Sequence, residues 1–163
     1  MSNDITIRTE LRSGDLGRII MLHGEVYDDG GVHFGLPFEA FVARTIADYI
    51  LDNKAKGQVW LAEHNNTLCG CAAIIDRNSK GQLRWVLVSP ALRGTGLGKK
   101  LVLNALDYAR QQNWSEVYLE TTEGLDASMQ LYQSLGFYVV SETKEKLWSE
   151  AVQKLIVMRN MLE

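Results

Sequence analysis

The chain has 163 residues, 46% hydrophobic and 23% charged, with two prolines and no low-complexity stretch, which reads as one globular domain, 1–163, able to bury about two-thirds of its unfolded surface. A formal net charge of −3 excludes the basic face on which phosphate-backbone binding depends, so no nucleic-acid partner is expected. No apolar run approaches the ~20 residues of a membrane span and the first residues lack a basic-then-apolar leader, so the expectation is a cytoplasmic protein with no membrane partner.

Residues 5–11 alternate apolar and polar side chains, predicting a first strand. Ser13 is positioned to cap a helix that runs to Tyr27 with Leu16, Ile19, Ile20 and Val26 on one side. On that helix His23 reads as a surface or capping residue. A second helix is expected over 37–54, because Phe38, Phe41, Val42, Thr45, Ile46 and Tyr49 recur at intervals of three and four. Between the two lies an aromatic turn in which Asp28 and Asp29 stand beside Tyr27, His33 and Phe34. Residues 58–64 and 68–76 predict two strands joined by Asn65 and Asn66, a pair that readily takes positive φ. Cys69 and Cys71, two apart on the second strand, are expected on one sheet face as packed free thiols. Two thiolates without a histidine at ligand spacing do not make a metal site, so none is expected.

Residues 82–89 form the next predicted strand, ended by Pro90. A helix follows over 95–113, with Leu97, Leu101, Ala105 and Ala109 every four residues. A strand at 115–121, a short helix at 127–135 stopped by Gly136, and strands at 137–143 and 152–161 complete the chain. The order predicts an α/β fold with a mixed, twisted sheet of about seven strands flanked by about four helices.

The strand-to-helix turn carries the chemistry. Gly94, Gly96 and Gly98 let a ligand approach the backbone, and the first turn of the following helix offers unpaired N–H groups to an anion. A mononucleotide P-loop would need glycine where Arg93 stands and Ser or Thr where Lys100 stands. A dinucleotide fingerprint begun at Gly94 meets Lys99 in place of its last glycine, and begun at Gly96 meets Leu101. What remains is Arg93-x-x-Gly96-x-Gly98, which resembles the pyrophosphate-binding motif of the GNAT superfamily of acyl-CoA-dependent N-acetyltransferases. Leu131-Tyr132, followed by Gly136-Phe137, resembles the helix and strand that complete the cofactor site of the same superfamily. The resemblance covers about residues 56–144 and implies the GNAT fold.

It also implies acetyl-CoA as acyl donor, with its pyrophosphate on the loop formed by Arg93, Gly94, Thr95, Gly96, Leu97, Gly98 and Lys99. Val86, Leu87 and Val88 would line the pantetheine, Tyr132 would donate to the departing thiolate, and Glu120 would be the base. Leu125 stands where many members carry a cofactor-contacting Asn, and Ser128 is the nearby candidate to replace it. A base is needed because an amine of pKa ~10.4 is neutral in only about one molecule in 2,500 at pH 7. Tyr27, His33 and Phe34 are the candidate acceptor-binding residues, and the carboxylate pair beside them suits a cationic amine. The expectation is acetyl transfer to a primary amine of a small molecule by direct attack in a ternary complex, with a homodimer through the C-terminal strand. The alternatives are a non-catalytic acyl-CoA-binding module and a protein or peptide N-acetyltransferase.

Overall fold

The computed structural model describes residues 4–28, 30 and 33–162. Its strands are β1 (Thr6–Arg8), β2 (Gly57–His64), β3 (Thr67–Asp76), β4 (Gly81–Val88), β5 (Glu116–Thr122), β6 (Tyr138–Lys146) and β7 (Val152–Met161). They form one sheet in the order β1-β2-β3-β4-β5-β7-β6, antiparallel throughout except for the parallel pair β4 and β5. Helices α1 (Asp15–Val26) and α2 (Leu36–Leu51) lie on one face, and α3 (Leu97–Gln111) and α4 (Asp126–Ser134) on the other. This is the mixed seven-strand, four-helix arrangement the residue patterns predict.

Each face has its own core. Leu101, Val102 and Ala105 of α3 bury completely against Ile74, Val117 and Met158. Ile19, Val42 and Ile46 of α1 and α2 close over Leu61, Cys71, Ala73 and Ile75. The ends of the elements shift by a few residues where a local hydrogen bond wins over pattern. β1 is only three residues long, because Arg8 turns to donate to Asp15 at 2.8 and 2.7 Å and to the Glu10 carbonyl. Helix α1 starts from Gly14 at φ 93°, not from Ser13. No side chain caps the first turn; the Asp15 carboxylate instead takes the Arg12 N–H at 2.7 Å and fixes the chain entering the helix. The free edge of the sheet is β6, exposed along its whole length. The C-terminal strand β7 is internal, between β5 and β6.

Two bulges shape the middle of the sheet. Ala62 pairs with Gly70 and Glu63 with Leu68, so Cys69 is an extra residue on β3. That insertion reverses the alternation, and Cys69 therefore packs on the α3 face while Cys71 packs on the α1/α2 face. The expectation that the two cysteines share a face is thus corrected. On β4, Leu87 pairs with Cys71 and Arg84 with Ala73, so Trp85 and Val86 stand opposite one residue. Trp85 sits at φ 50°, a strained conformation for a bulky side chain. The Cys71 thiol donates to the Trp85 carbonyl at 3.1 Å and the Trp85 indole N–H donates to Thr45 Oγ1 at 3.0 Å, fixing the bulge from both sides.

The sheet splits just before this bulge. β4 and β5 pair only at Gly81 with Val117 and Gln82 with Tyr118. From Leu83 to Val88 the β5 side of β4 has no strand partner, and a cleft opens between the two strands.

Candidate active site

Two cavities meet in that cleft. The first, of ≈ 300 Å³, lies between the end of β4 and the starts of α3 and α4. The second, of ≈ 320 Å³, lies between the diverging strands and the α1/α2 pair. Tyr27, Val86 and Ser128 border both, so the two cavities adjoin there.

The first cavity is walled by Val86, Leu87 and Val88 on the open edge of β4, and by Arg93, Gly94, Gly96, Leu97, Gly98 and Lys99 at the start of α3. Of the predicted loop, Thr95 alone is not part of the wall: its hydroxyl donates to the Leu92 carbonyl at 2.6 Å. The first intrahelical bond of α3 is donated by Lys100 to Gly96, which leaves the N–H groups of Leu97, Gly98 and Lys99 facing outward from the helix end. Arg93 and Thr95 N–H groups are held loosely in turn bonds of 3.3 and 3.4 Å. Gly94 and Gly96 take φ of 80° and 87°, and a Cβ at either would meet nothing within 4 Å. The backbone angle, together with the open space above it, is what these two glycines supply. Ala127 and Ser128, in the first turn of α4, complete the wall, so two helix N-termini border one cavity. That arrangement suits a polyanionic ligand. Leu125 is the N-cap of α4, offers no side-chain cap, and lines the second cavity instead.

The second cavity has an aromatic wall. Phe34 stacks with Tyr27 at 5.4 Å and with Trp148 at 5.6 Å, and Trp148 also meets Phe38 and Phe41 at 4.9 and 5.5 Å between ring centres. The Trp148 indole N–H donates to the His33 carbonyl, which ties the segment between β6 and β7 to the aromatic turn. Of the candidate acceptor-binding residues, Tyr27 and Phe34 line this cavity. His33 does not: its side chain is exposed and outside the cavity wall, and its carbonyl accepts the Trp148 bond. Asp28 is outside the wall as well and accepts the Gly30 N–H at 3.0 Å. Asp29 lies outside the described residues.

Glu120 and Tyr132 line the same cavity. Glu120 is solvent-exposed there, on the α1/α2 side of β5. Tyr132 is 8% exposed, edge-on to Phe137 at 5.9 Å. Burial raises its phenol far above the ordinary tyrosine range, and the nearby Tyr27 adds to the shift. Burial also pushes Tyr27 up to about 12.

Two further wall residues carry polar chemistry that pattern reading did not select. His23 is buried at 3% exposure, contrary to the surface position expected of it. Its Nδ1 lies 2.8 Å from the Ile19 carbonyl, so that nitrogen carries the proton and Nε2 is the free acceptor. Burial lowers its pKa to about 4, keeping the ring neutral near pH 7. Arg84, at the bulge of β4, has its guanidinium carbon 5.9 Å from the ring centres of both Phe41 and Trp85. A single charge inside the apolar run 83–88 was the available signal for it.

The described cysteines line neither cavity. Burial pushes the Cys71 thiol up to about 12, the opposite of what a nucleophile needs.

Known proteins resemble this chain in sequence and in fold. The model of a family described as "Acetyltransferase (GNAT) family" matches residues 26–137. The Escherichia coli (strain K12) protein named "Uncharacterized N-acetyltransferase YjgM" is 35% identical over 48% of this chain and 49% of its own length. Human N-acetyltransferase 8B is 33% identical over 57% of this chain and 44% of its own. The chain spans about half the length of these curated relatives. A solved structure of yncA from Salmonella typhimurium, described with its cofactor acetyl-CoA, has a TM-score of 0.71 at 23% identity, covering 98% of this chain and 95% of that one.

Proposed function

Because this chain belongs to the acetyltransferase (GNAT) family, we propose that it moves an acetyl group from acetyl-CoA to a primary amine by direct attack in a ternary complex. The observation that carries the proposal is the adjoining pair of cavities: a cradle of free helix N–H groups on one side, an aromatic chamber holding Glu120 and Tyr132 on the other, and a shared border at Tyr27, Val86 and Ser128. Acetyl-CoA, when bound, supplies an activated thioester carbonyl carbon.

The chain's own residues do the rest. The first-turn N–H groups of α3 hold the pyrophosphate, each such interaction worth about 0.3–1 kcal/mol exposed and up to ~2 when partly buried, so several act together. The unpaired edge of β4 at Val86, Leu87 and Val88 pairs with the pantetheine amides. Glu120 takes the proton the amine must lose as its nitrogen bonds to the carbonyl carbon and the C–S bond breaks. Tyr132 then meets the departing thiolate. A phenol whose pKa burial has raised this far gives up its proton uphill to a thiolate, so its part is a strong hydrogen bond to the developing charge. Because neither described cysteine reaches either cavity, the chemistry proceeds without a thiol intermediate on the chain.

The enclosing ring of Phe34, Phe38, Phe41 and Trp148 favours a small molecule over a peptide. The exposed β6 edge, with Tyr138, Val139 and Val140 along it, supports pairing with a second copy there and not through β7. Leu125 in place of a polar side chain favours the second reading, a module that binds acyl-CoA without chemistry. Calorimetric titration with acetyl-CoA and CoA, followed by thiol release across a panel of primary amines, separates the two. Binding with turnover on any amine establishes the transferase; binding without turnover on every amine leaves the module; no binding overturns both.

A further inference from the structure

Arg84 has no hydrogen bond or ion pair among the described residues, yet it stands half-buried in the wall of the aromatic chamber. The groups that act on it electrostatically are the carboxylates of Glu120 and Asp48, the phenol of Tyr118 and the cation Arg77, and burial outweighs the attraction of the carboxylates. A guanidinium kept charged in such a place lacks the planar anion that its five donors fit. Arg84 pairs with Ala73, so its side chain is on the α1/α2 face of β4, and Glu120 is on the same face of β5 across the split. The chamber thus presents a cation on β4 and an anion on β5 across the split, with the rings of Phe41 and Trp85 beside the cation.

We infer that the acceptor is an α-amino acid with an apolar or aromatic side chain, its carboxylate held by Arg84, its amine directed to Glu120, and its side chain among Phe38, Phe41 and Trp148. This rests on the acetyl-transfer reading above. The two charges orient the ligand. Arg84 repels an ammonium and draws in a carboxylate, while Glu120 does the reverse, so a zwitterion enters in one direction only. A phosphate in the same place would bring a second negative charge toward Glu120, which a carboxylate does not. The guanidinium carbon lies 5.9 Å from the Phe41 ring centre, a cation–π contact that uses none of the N–H donors a bidentate carboxylate contact needs.

The test is calorimetric titration, on protein saturated with CoA, of L-phenylalanine and of phenethylamine, which lacks the carboxylate. The wild type is expected to bind phenylalanine more tightly than the amine. Arg84→Gln is expected to weaken phenylalanine by about 10–100-fold and to leave phenethylamine within about twofold, with Arg84→Lys between. Unchanged CoA affinity shows that each variant is folded, and Arg84→Lys carries the test if the glutamine variant is not. Equal binding of the two compounds by the wild type, equal losses in the variants, or no binding of phenylalanine overturns the inference. Turnover of carboxylate-free amines alone overturns it while leaving acetyl transfer standing. Absence of thiol release with every amine, despite the phenylalanine preference, overturns acetyl transfer instead.

Discussion

At the residue scale, the proposed mechanism separates chemistry from binding. Glu120 and Tyr132 line the chamber and not the cofactor cradle. Tyr132→Phe and Glu120→Gln should therefore each lower kcat, by about 10²–10⁴-fold for the base, while the dissociation constant for acetyl-CoA stays within about twofold; steady-state kinetics beside calorimetry measures both. His23 makes a prediction about stability. Its pKa is about 4 in the fold against an ordinary 6.5, because burial disfavours the charged ring. Above pH 6.5 neither state binds the proton, whereas between 6.5 and 4 the unfolded chain does and the folded one does not, so stability falls on acidification across that window. The loss should reach about 3 kcal/mol by pH 4, and His23→Gln should flatten it; urea denaturation from pH 7 to 4 checks this. Tyr132 and Glu120 were legible as candidates because motif spacing and an isolated carboxylate mark them. His23 and Arg84 were not, since a lone helical histidine and a lone strand arginine look the same from sequence whether they face water or a cavity.

At the element scale, the glycine turn was readable because three close glycines before a helical pattern have few physical uses. Gly96→Ala forces an L side chain to φ 87°, which should cost about 1–2 kcal/mol and place a methyl group in the open cradle. Thermal unfolding is expected to drop by a few degrees, and acetyl-CoA affinity to fall by more than this loss alone explains. Gly98 differs: its added Cβ would meet Leu131 at 3.4 Å and Val88 at 3.6 Å, ordinary contacts. The bulges were invisible. Alternation is a count of residues, and one extra residue at Cys69 changes its parity with no mark in composition. The same holds at Trp85, where the bulge turns Arg84 and Trp85 toward the α1/α2 side. The helix cap misled as well: Ser13 has the right chemistry, but Gly14 at φ 93° is the N-cap and no side chain caps the turn, while Asp15, lowered to about 2 chiefly by its hydrogen bond from Arg8, holds the Arg12 N–H before the helix.

At the scale of the whole molecule, element order made the layered sheet predictable, whereas the place where the sheet splits depends on long-range register. Trp148, between β6 and β7, reaches the aromatic turn more than a hundred residues away, a contact that no local pattern encodes. The border shared by the two cavities has a consequence for kinetics. Glu120 on one side, and Arg93 and Lys99 on the other, are exposed, so solvent reaches a wall residue of each cavity. Donor and acceptor should then bind in either order. Initial-velocity plots should intersect, CoA should compete with acetyl-CoA but not with the amine, and a dead-end amine analogue should compete only with the amine. Uncompetitive inhibition by that analogue against acetyl-CoA would instead mean that one door opens only after the other has been used.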